Sequence, residues 1–156
     1  MFSLLLIGLT VSLSVMVDVS FCQGSCEQGW VSYSGQCYQF FSLMKTWSDA
    51  ETFCFNLGGH LASVHNADDN KFITNFIKRK DMSGPTIWLG ASNYQQISLW
   101  LWTDGSKWDF TNWNTGEPNN SNNVERCLHF NYAVEGGWND VDCGWEYPFV
   151  CVKASK

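Results

Sequence analysis

Oxygen-bearing side chains gather at two places in the last third of the sequence. Glu117, Asn119 and Glu125 stand at the end of a long polar stretch, and Asn139, Asp140 and Asp142 follow 14 to 25 residues later. Carboxylate and carboxamide oxygens suit a hard cation, and calcium accepts about six to eight of them in loose geometry. Loop clusters of Asn and Asp more commonly serve turns. The Glu117-Pro118-Asn119 tripeptide speaks for a metal instead. A cis bond before Pro118, of the kind largely confined to proline, would set both flanking side chains on the same side of the chain. Other chemistry is poorly represented. His60, His65 and His129 have no partner spacing that reads as catalytic, so each is assigned to surface or core. With no nucleophile–base pair and no phosphate-cradling glycine loop legible, an enzyme is not expected. None of the seven cysteines forms a Cys-x-x-Cys pair, which counts against a zinc ribbon or a redox dithiol.

The elements that must position these residues follow from pattern. Trp30 to Phe41 reads as a hairpin turned at Ser34-Gly35. Thr46 opens a helix with Trp47, Ala50, Phe53, Cys54 and Leu57 at helical spacing, stopped by Gly58-Gly59. Leu61 to Val64 is a short strand. Asn66 with Asp68 and Asp69 starts a second helix, striped by Phe72, Ile73, Phe76 and Ile77 and ended by Lys78-Arg79-Lys80. That basic triplet suits a solvated helix end better than a binding patch. Further strands are expected at Ile87–Gly90, Leu99–Trp102, Cys127–Phe130, Gly137–Val141 and Phe149–Val152. Between them, residues 104–123 form one long loop, and long loops in a compact domain are usually functional.

With 156 residues, 45% hydrophobic and 16% aromatic, the chain supports one globular domain. Its net charge of −6 argues against nucleic acid or an anionic membrane surface as partner. Residues 1–22 read as a signal peptide: an apolar run from Phe2 to Val17, too short to span comfortably, then Ser20-Phe21-Cys22 before a cleavage point at Gln23. Secretion follows, without membrane insertion, and residues 23–156 form the domain. Loss of Cys22 leaves six cysteines, suited to three disulfides in an oxidising compartment. Spacing alone does not choose among the pairings. A retained Cys22 offers an intermolecular disulfide.

The ordered set of motifs resembles the C-type lectin domain family from Cys26 to Cys151. It comprises Gly29-Trp30, Trp47-Ser48-Asp49-Ala50 with Cys54, Trp88-Leu89-Gly90, Trp102-Thr103-Asp104-Gly105, Phe110-Thr111-Asn112-Trp113, Glu117-Pro118-Asn119, Trp138-Asn139-Asp140 and Phe149-Val150-Cys151. The short length is similar to that of soluble lectins of fish plasma and mucus. The resemblance implies an α+β, C-type lectin-like fold with two helices, short antiparallel sheets and a long calcium-binding loop. It also implies the disulfides Cys26–Cys37, Cys54–Cys151 and Cys127–Cys143. Family ligand positions for a sugar-binding calcium fall on Glu117, Asn119, Glu125, Asn139 and Asp140, and all five carry the family's ligand type. The acid-then-amide order of Glu117 and Asn119 resembles members that select the equatorial 3- and 4-hydroxyls of mannose-type sugars; galactose-selecting members tend to have Gln-Pro-Asp.

The implied function is calcium-dependent, mannose-type carbohydrate binding in pathogen recognition, with glycans on microbial or cell surfaces as partners. Weak single sites would then need clustering for avidity. An ice-binding (type II antifreeze-like) or protein-binding role on the same fold is the alternative. Three departures bear on the ions. Asn93, Ile97 and Asn120 replace acids of an auxiliary calcium site, so that ion is expected to be absent or weak, leaving one. Arg126, beside Glu125, opposes a cation by like charge. The sequon Asn119-Asn120-Ser121 is expected to be unused, because a glycan there would remove a ligand. The nine tryptophans are assigned to packing, and that assignment is also preferred to sugar stacking for Trp145 and Tyr147.

Overall fold

The two residues Ser34 and Gly35 both take positive φ, 48° and 76°, as a tight hairpin turn requires. They join β1 (Val31–Tyr33) to β2 (Gln36–Lys45), with Tyr33 paired to Gln36. The computed structural model describes residues 25–156; the expected signal peptide, its cleavage point and Cys22 lie outside them. Helix α1 (Trp47–Asn56) begins where the Thr46 side chain accepts from the Asp49 N–H, and it buries Trp47, Ala50 and Cys54. Trp47 Nε1 donates to the Leu89 carbonyl at 2.9 Å, tying the helix to the sheet. Gly58, at φ +82°, takes the left-handed conformation that ends it. Helix α2 (Ala67–Lys80) starts from an Asn66 cap on the Asp69 N–H and ends on Lys78, Arg79 and Lys80, which complement the helix dipole.

The remaining strands are β3 (His60–Leu61), β4 (Ile87–Ser92), β5 (Leu101–Trp102), β6 (Glu125–Phe130), β7 (Trp138–Asp142) and β8 (Tyr147–Ala154). They connect into one sheet in the order β1-β2-β8-β4-β6-β7, with β3 on β8 and β5 on β4. Among the described residues the named strands pair antiparallel except β4 on β8, where Trp88 faces Phe149 in parallel, and an isolated parallel bridge joins Trp113 to Trp138. Two expected strands are shorter than their apolar runs. Only His60–Leu61 ladders with β8, and only Leu101–Trp102 with β4. Ala62 and Val64 are apolar because they are buried, although neither belongs to a ladder. The three disulfides are Cys26–Cys37, Cys54–Cys151 and Cys127–Cys143, as the resemblance implies.

Two apolar clusters fill the interior. One gathers α2, Leu89, Leu128, Val150 and the tryptophans Trp100, Trp102 and Trp138. The other surrounds Cys54–Cys151 with Trp47, Leu61, Trp88 and Phe149. Gly90 lies between them, where a Cβ would meet the Leu61 carbonyl at 2.7 Å and Thr103 Oγ1 at 2.9 Å. No larger residue fits that crossing. Trp88, Trp102 and Trp138 are core residues, and Trp113 packs half-buried against the cluster that holds Trp102 and Trp138, as assigned. Trp145 departs from that assignment: it is 57% exposed, on the turn between β7 and β8.

Candidate functional site

Trp138 is the anchor from which the site is built. It is fully buried, its Nε1 donates to Asn70 Oδ1 at 2.8 Å, and the rings of Trp108, Phe110 and Trp113 pack around it. Its backbone accepts the long loop: Trp138 N donates to the Asn112 carbonyl at 3.0 Å, and Asn114 N to the Trp138 carbonyl at 2.9 Å. The aromatic residues of an otherwise polar loop thus fix its course, and deliver Glu117 beside the strand that carries Asn139 and Asp140. The Glu117–Pro118 bond is cis.

Asp140 joins the two segments. It is buried, and its carboxylate accepts from Asn119 N at 3.0 Å and from Asn120 N at 2.8 Å. Glu125 does the same one turn later, accepting from Ser121 N at 2.8 Å. Asn120, Asn122 and Asn123 all have positive φ, the left-handed backbone that asparagine tolerates better than most residues. Glu125 pairs with Asp142 and Cys127 with Val141, so Arg126 is the extra residue of a bulge. Its guanidinium folds back, Nη2 donating to the Asn123 carbonyl at 3.1 Å.

The electrostatics are those of crowded acids. Burial, and then the adjacent Asp140 carboxylate, push the Glu117 carboxyl above its usual range. Burial likewise raises Glu125, and the charges of Asp140 and Asp142 add to it against the Ser121 hydrogen bond. Glu117 Oε2 is buried without a hydrogen-bond partner. An acceptor left in that condition is costly unless a donor or cation reaches it. Among the described residues, no three His, Cys, Asp or Glu side chains alone make up a metal-holding group. The carboxamides of Asn119 and Asn139, together with oxygens from outside the protein, have to complete any shell. Oxygen donors throughout, with a surplus of negative charge, fit a hard cation.

Sequence reasoning named these five residues, and the fold brings Glu117, Asn119, Glu125 and Asp140 to one place, with Asn139 adjacent on β7. Asp142 takes a different part, capping a turn by accepting from Gly144 N at 2.8 Å. The expected auxiliary position is a cavity of about 150 Å³ lined by Asn93, Ile97, Ser98, Trp100, Pro118, Asn120 and Asp140. Its one carboxylate is already bound to two backbone N–H groups, while Asn93 Oδ1 and Asn120 Oδ1 are buried without partners.

All three histidines are more engaged than their sequence context indicated; His60 Nδ1 lies 2.6 Å from Glu51 Oε1. His65 stands between Ser63 and Asp109, Nε2 3.1 Å from Ser63 Oγ and Nδ1 2.8 Å from Asp109 Oδ1. Ser63 Oγ, however, gives its one proton to Asp104 Oδ2 at 2.5 Å. It can therefore only accept from His65, and the ring is a clamp on the long loop rather than a base for a nucleophile. His129 lies directly behind the site, buried against aromatic rings; burial alone pushes its imidazole down to about 4, so it is neutral at pH 7. Its position opposite Asn139 depends on the β6–β7 register, which no local spacing announces.

Comparison with known proteins identifies the family of the fold. The sequence profile of the Lectin C-type domain matches residues 43–153. A C-type lectin mannose-binding isoform from Notechis scutatus scutatus is 39% identical over 130 residues, covering 81% of this chain and 82% of the relative. The lactose-binding lectin l-2 of Anguilla japonica is 38% identical over 135 residues, covering 84% and 80%. Among solved structures, the C-type lectin CEL-I from Cucumaria echinata superposes with a TM-score of 0.80 at 28% identity, covering 84% of this chain and 99% of its own. A calcium-independent type II antifreeze protein superposes with a TM-score of 0.77 at 29% identity, covering 85% and 97%. The profile spans most of the chain, the relatives are more than a third identical over most of their length, and the three disulfides and the fold agree: the chain belongs to the C-type lectin domain family.

Proposed function

We propose that this chain is a secreted, calcium-dependent lectin selecting mannose-type sugars, with Glu117, Asn119, Glu125, Asn139 and Asp140 as ligands of a single calcium ion. The observation that carries the reading is the unpartnered, buried Glu117 Oε2 among crowded acids, next to the amide of Asn119. When bound there, calcium would supply open coordination positions, one for each of two vicinal sugar hydroxyls. The carboxylates of Glu117 and Glu125 accept hydrogen bonds from the hydroxyls, and the amide of Asn119 donates to a hydroxyl oxygen. The Glu117-then-Asn119 order suits equatorial 3- and 4-hydroxyls. The auxiliary cavity, with one engaged carboxylate, holds a second ion weakly or not at all. Arg126 subtracts from affinity at the principal site by like charge.

Three disulfides support secretion, and no helix among the described residues is long and apolar enough to cross a membrane. In this reading residues 1–22 are the signal peptide, residues 23–156 are the domain, and Asn119 is unglycosylated. The partners are glycans of microbial or cell surfaces, in pathogen recognition, and not nucleic acid or membrane. Shallow single sites bind on the order of millimolar, so copies act clustered. No catalysis is involved. A glycan array in calcium and in chelator tests the whole. Mannose-type binding is expected in calcium only, and Glu117→Gln with Asn119→Asp together should move preference toward galactose. Retention in chelator would reject the mechanism, and galactose preference in the unaltered protein would reject the specificity. The likeness to an antifreeze protein gives the ice-binding reading its support; thermal hysteresis measured with and without calcium is expected to be nil.

Protons compete with the cation here. Glu117 and Glu125 are held above the ordinary carboxylate range, so sugar binding is lost as pH falls toward those raised values. The sign is opposite for the metal-free fold, where protonating them relieves repulsion and adds stability that is lost again as pH rises. Raising calcium tenfold should move the pH midpoint of sugar binding downward. A midpoint indifferent to calcium would show that these carboxylates do not hold the ion.

A further inference from the structure

We infer that His129 is a positioning residue for the cation site, turning the carboxamide oxygen of Asn139 outward through its own buried ring. This rests on Asn139 being a ligand, as proposed above. The two residues face each other across the β6–β7 ladder, and His129 is 1% exposed. Its Nε2 lies 3.4 Å from Asn139 Nδ2, and the same Nδ2 donates to the Asp140 carbonyl at 2.6 Å. Two acceptors, an imidazole lone pair and a peptide carbonyl, therefore face the amide from the protein side. The reverse amide orientation would set oxygen against both. Asn139 Oδ1 is left for a ligand outside this pair.

For Nε2 to accept, the proton must sit on Nδ1, and Nδ1 is buried with no hydrogen-bond partner. The ring is walled by Tyr132, Tyr147 and Trp88, with centroids 4.8, 5.2 and 6.4 Å away. An apolar side chain would fill that space without an orphaned N–H. The presence of an imidazole there is accounted for by what its other nitrogen does to Asn139, as partners behind metal ligands commonly fix ligand orientation.

The test is a calcium titration of the full chain, followed by tryptophan fluorescence, with melting in chelator measured alongside. His129→Gln sets an amide oxygen near the Nε2 position and should hold calcium within about threefold of the unaltered protein. His129→Leu keeps the bulk and removes the acceptor, and His129→Asn keeps polarity but is too short to reach. Each should lose about 10- to 100-fold in calcium affinity, the range seen when such supporting partners are removed, independently of its change in chelated melting temperature. Should His129→Leu not fold, His129→Asn carries the comparison. Calcium affinity unchanged in His129→Asn or His129→Leu overturns the inference, as does an equal loss in His129→Gln. Asn139→Ala separates the two levels. If it binds calcium normally, the ligand assignment fails; if it loses calcium while the His129 variants do not, only the positioning role fails.

Discussion

Asp140→Ala is expected to abolish calcium-dependent sugar retention and to lower stability in chelator by about 2–4 kcal/mol. The estimate follows from what the carboxylate does without any ion. It is fully buried, and it accepts from the backbone N–H groups of Asn119 and Asn120 at 3.0 and 2.8 Å. Hydrogen bonds to a charged acceptor contribute about 1.5–3 kcal/mol each, and alanine leaves both donors without it. The loss is partly offset, because the Asp140 charge also raises Glu117 and Glu125, and removing it relieves that repulsion. Asp140→Asn separates the two effects. A carboxamide presents one oxygen to two donors, so about half the stability loss is expected with the sugar binding still gone. Equilibrium unfolding in chelator and retention on a mannose matrix in calcium are the two measurements. Calcium-dependent retention by Asp140→Asn at wild-type strength would remove Asp140 from the site.

The same residue illustrates what a sequence displays and what it hides. The five proposed ligand positions could be named because their types and order resemble a family motif, and the helices were legible because Thr46 and Asn66 are caps whose chemistry is local. Ser34-Gly35 was legible for the same reason: a tight turn is decided within a few residues. The short extents of β3 and β5 were not. Ala62, Val64 and Trp100 are apolar for burial in the core, and an apolar run reads alike whether or not its backbone joins a ladder. The parallel contact of β4 with β8 depends on segments about 60 residues apart, which leave no mutual trace in spacing. The Ser63–His65–Asp109 chain and the His129–Asn139 pair were hidden similarly. Each partner was visible alone, but their meeting is set by the long loop crossing above Ser63 and by the register of β6 on β7. The tryptophans show the reverse case. Composition gave reason to place them in packing, yet Trp145 on the β7–β8 turn is 57% exposed.

Removing Cys54–Cys151 and Cys127–Cys143 one at a time should separate stability from function. Cross-linking stabilises by restricting the unfolded chain, more for a longer loop. Cys54–Cys151 closes 97 residues and Cys127–Cys143 closes 16, which corresponds to about 4–5 and about 3 kcal/mol respectively. The order reverses at the site. Cys54–Cys151 ties α1 to β8, neither of which carries a proposed ligand, although both bridges belong to the second apolar cluster. Cys127 lies two residues past Glu125, and Cys143 three past Asp140, so their bridge holds β6 and β7 together beside the bulge that aims Glu125. The double variant Cys54→Ala/Cys151→Ala should therefore be the less stable in chelator, and should bind calcium near normally wherever it is folded. Cys127→Ser/Cys143→Ser should be the more stable of the two and the weaker in calcium affinity. Saturating calcium should then raise the melting temperature more in the first variant, because ligand stabilisation scales with the logarithm of ligand concentration over Kd. The opposite ordering of calcium affinities would mean that the ligands are held by the whole fold rather than by the β6–β7 pair.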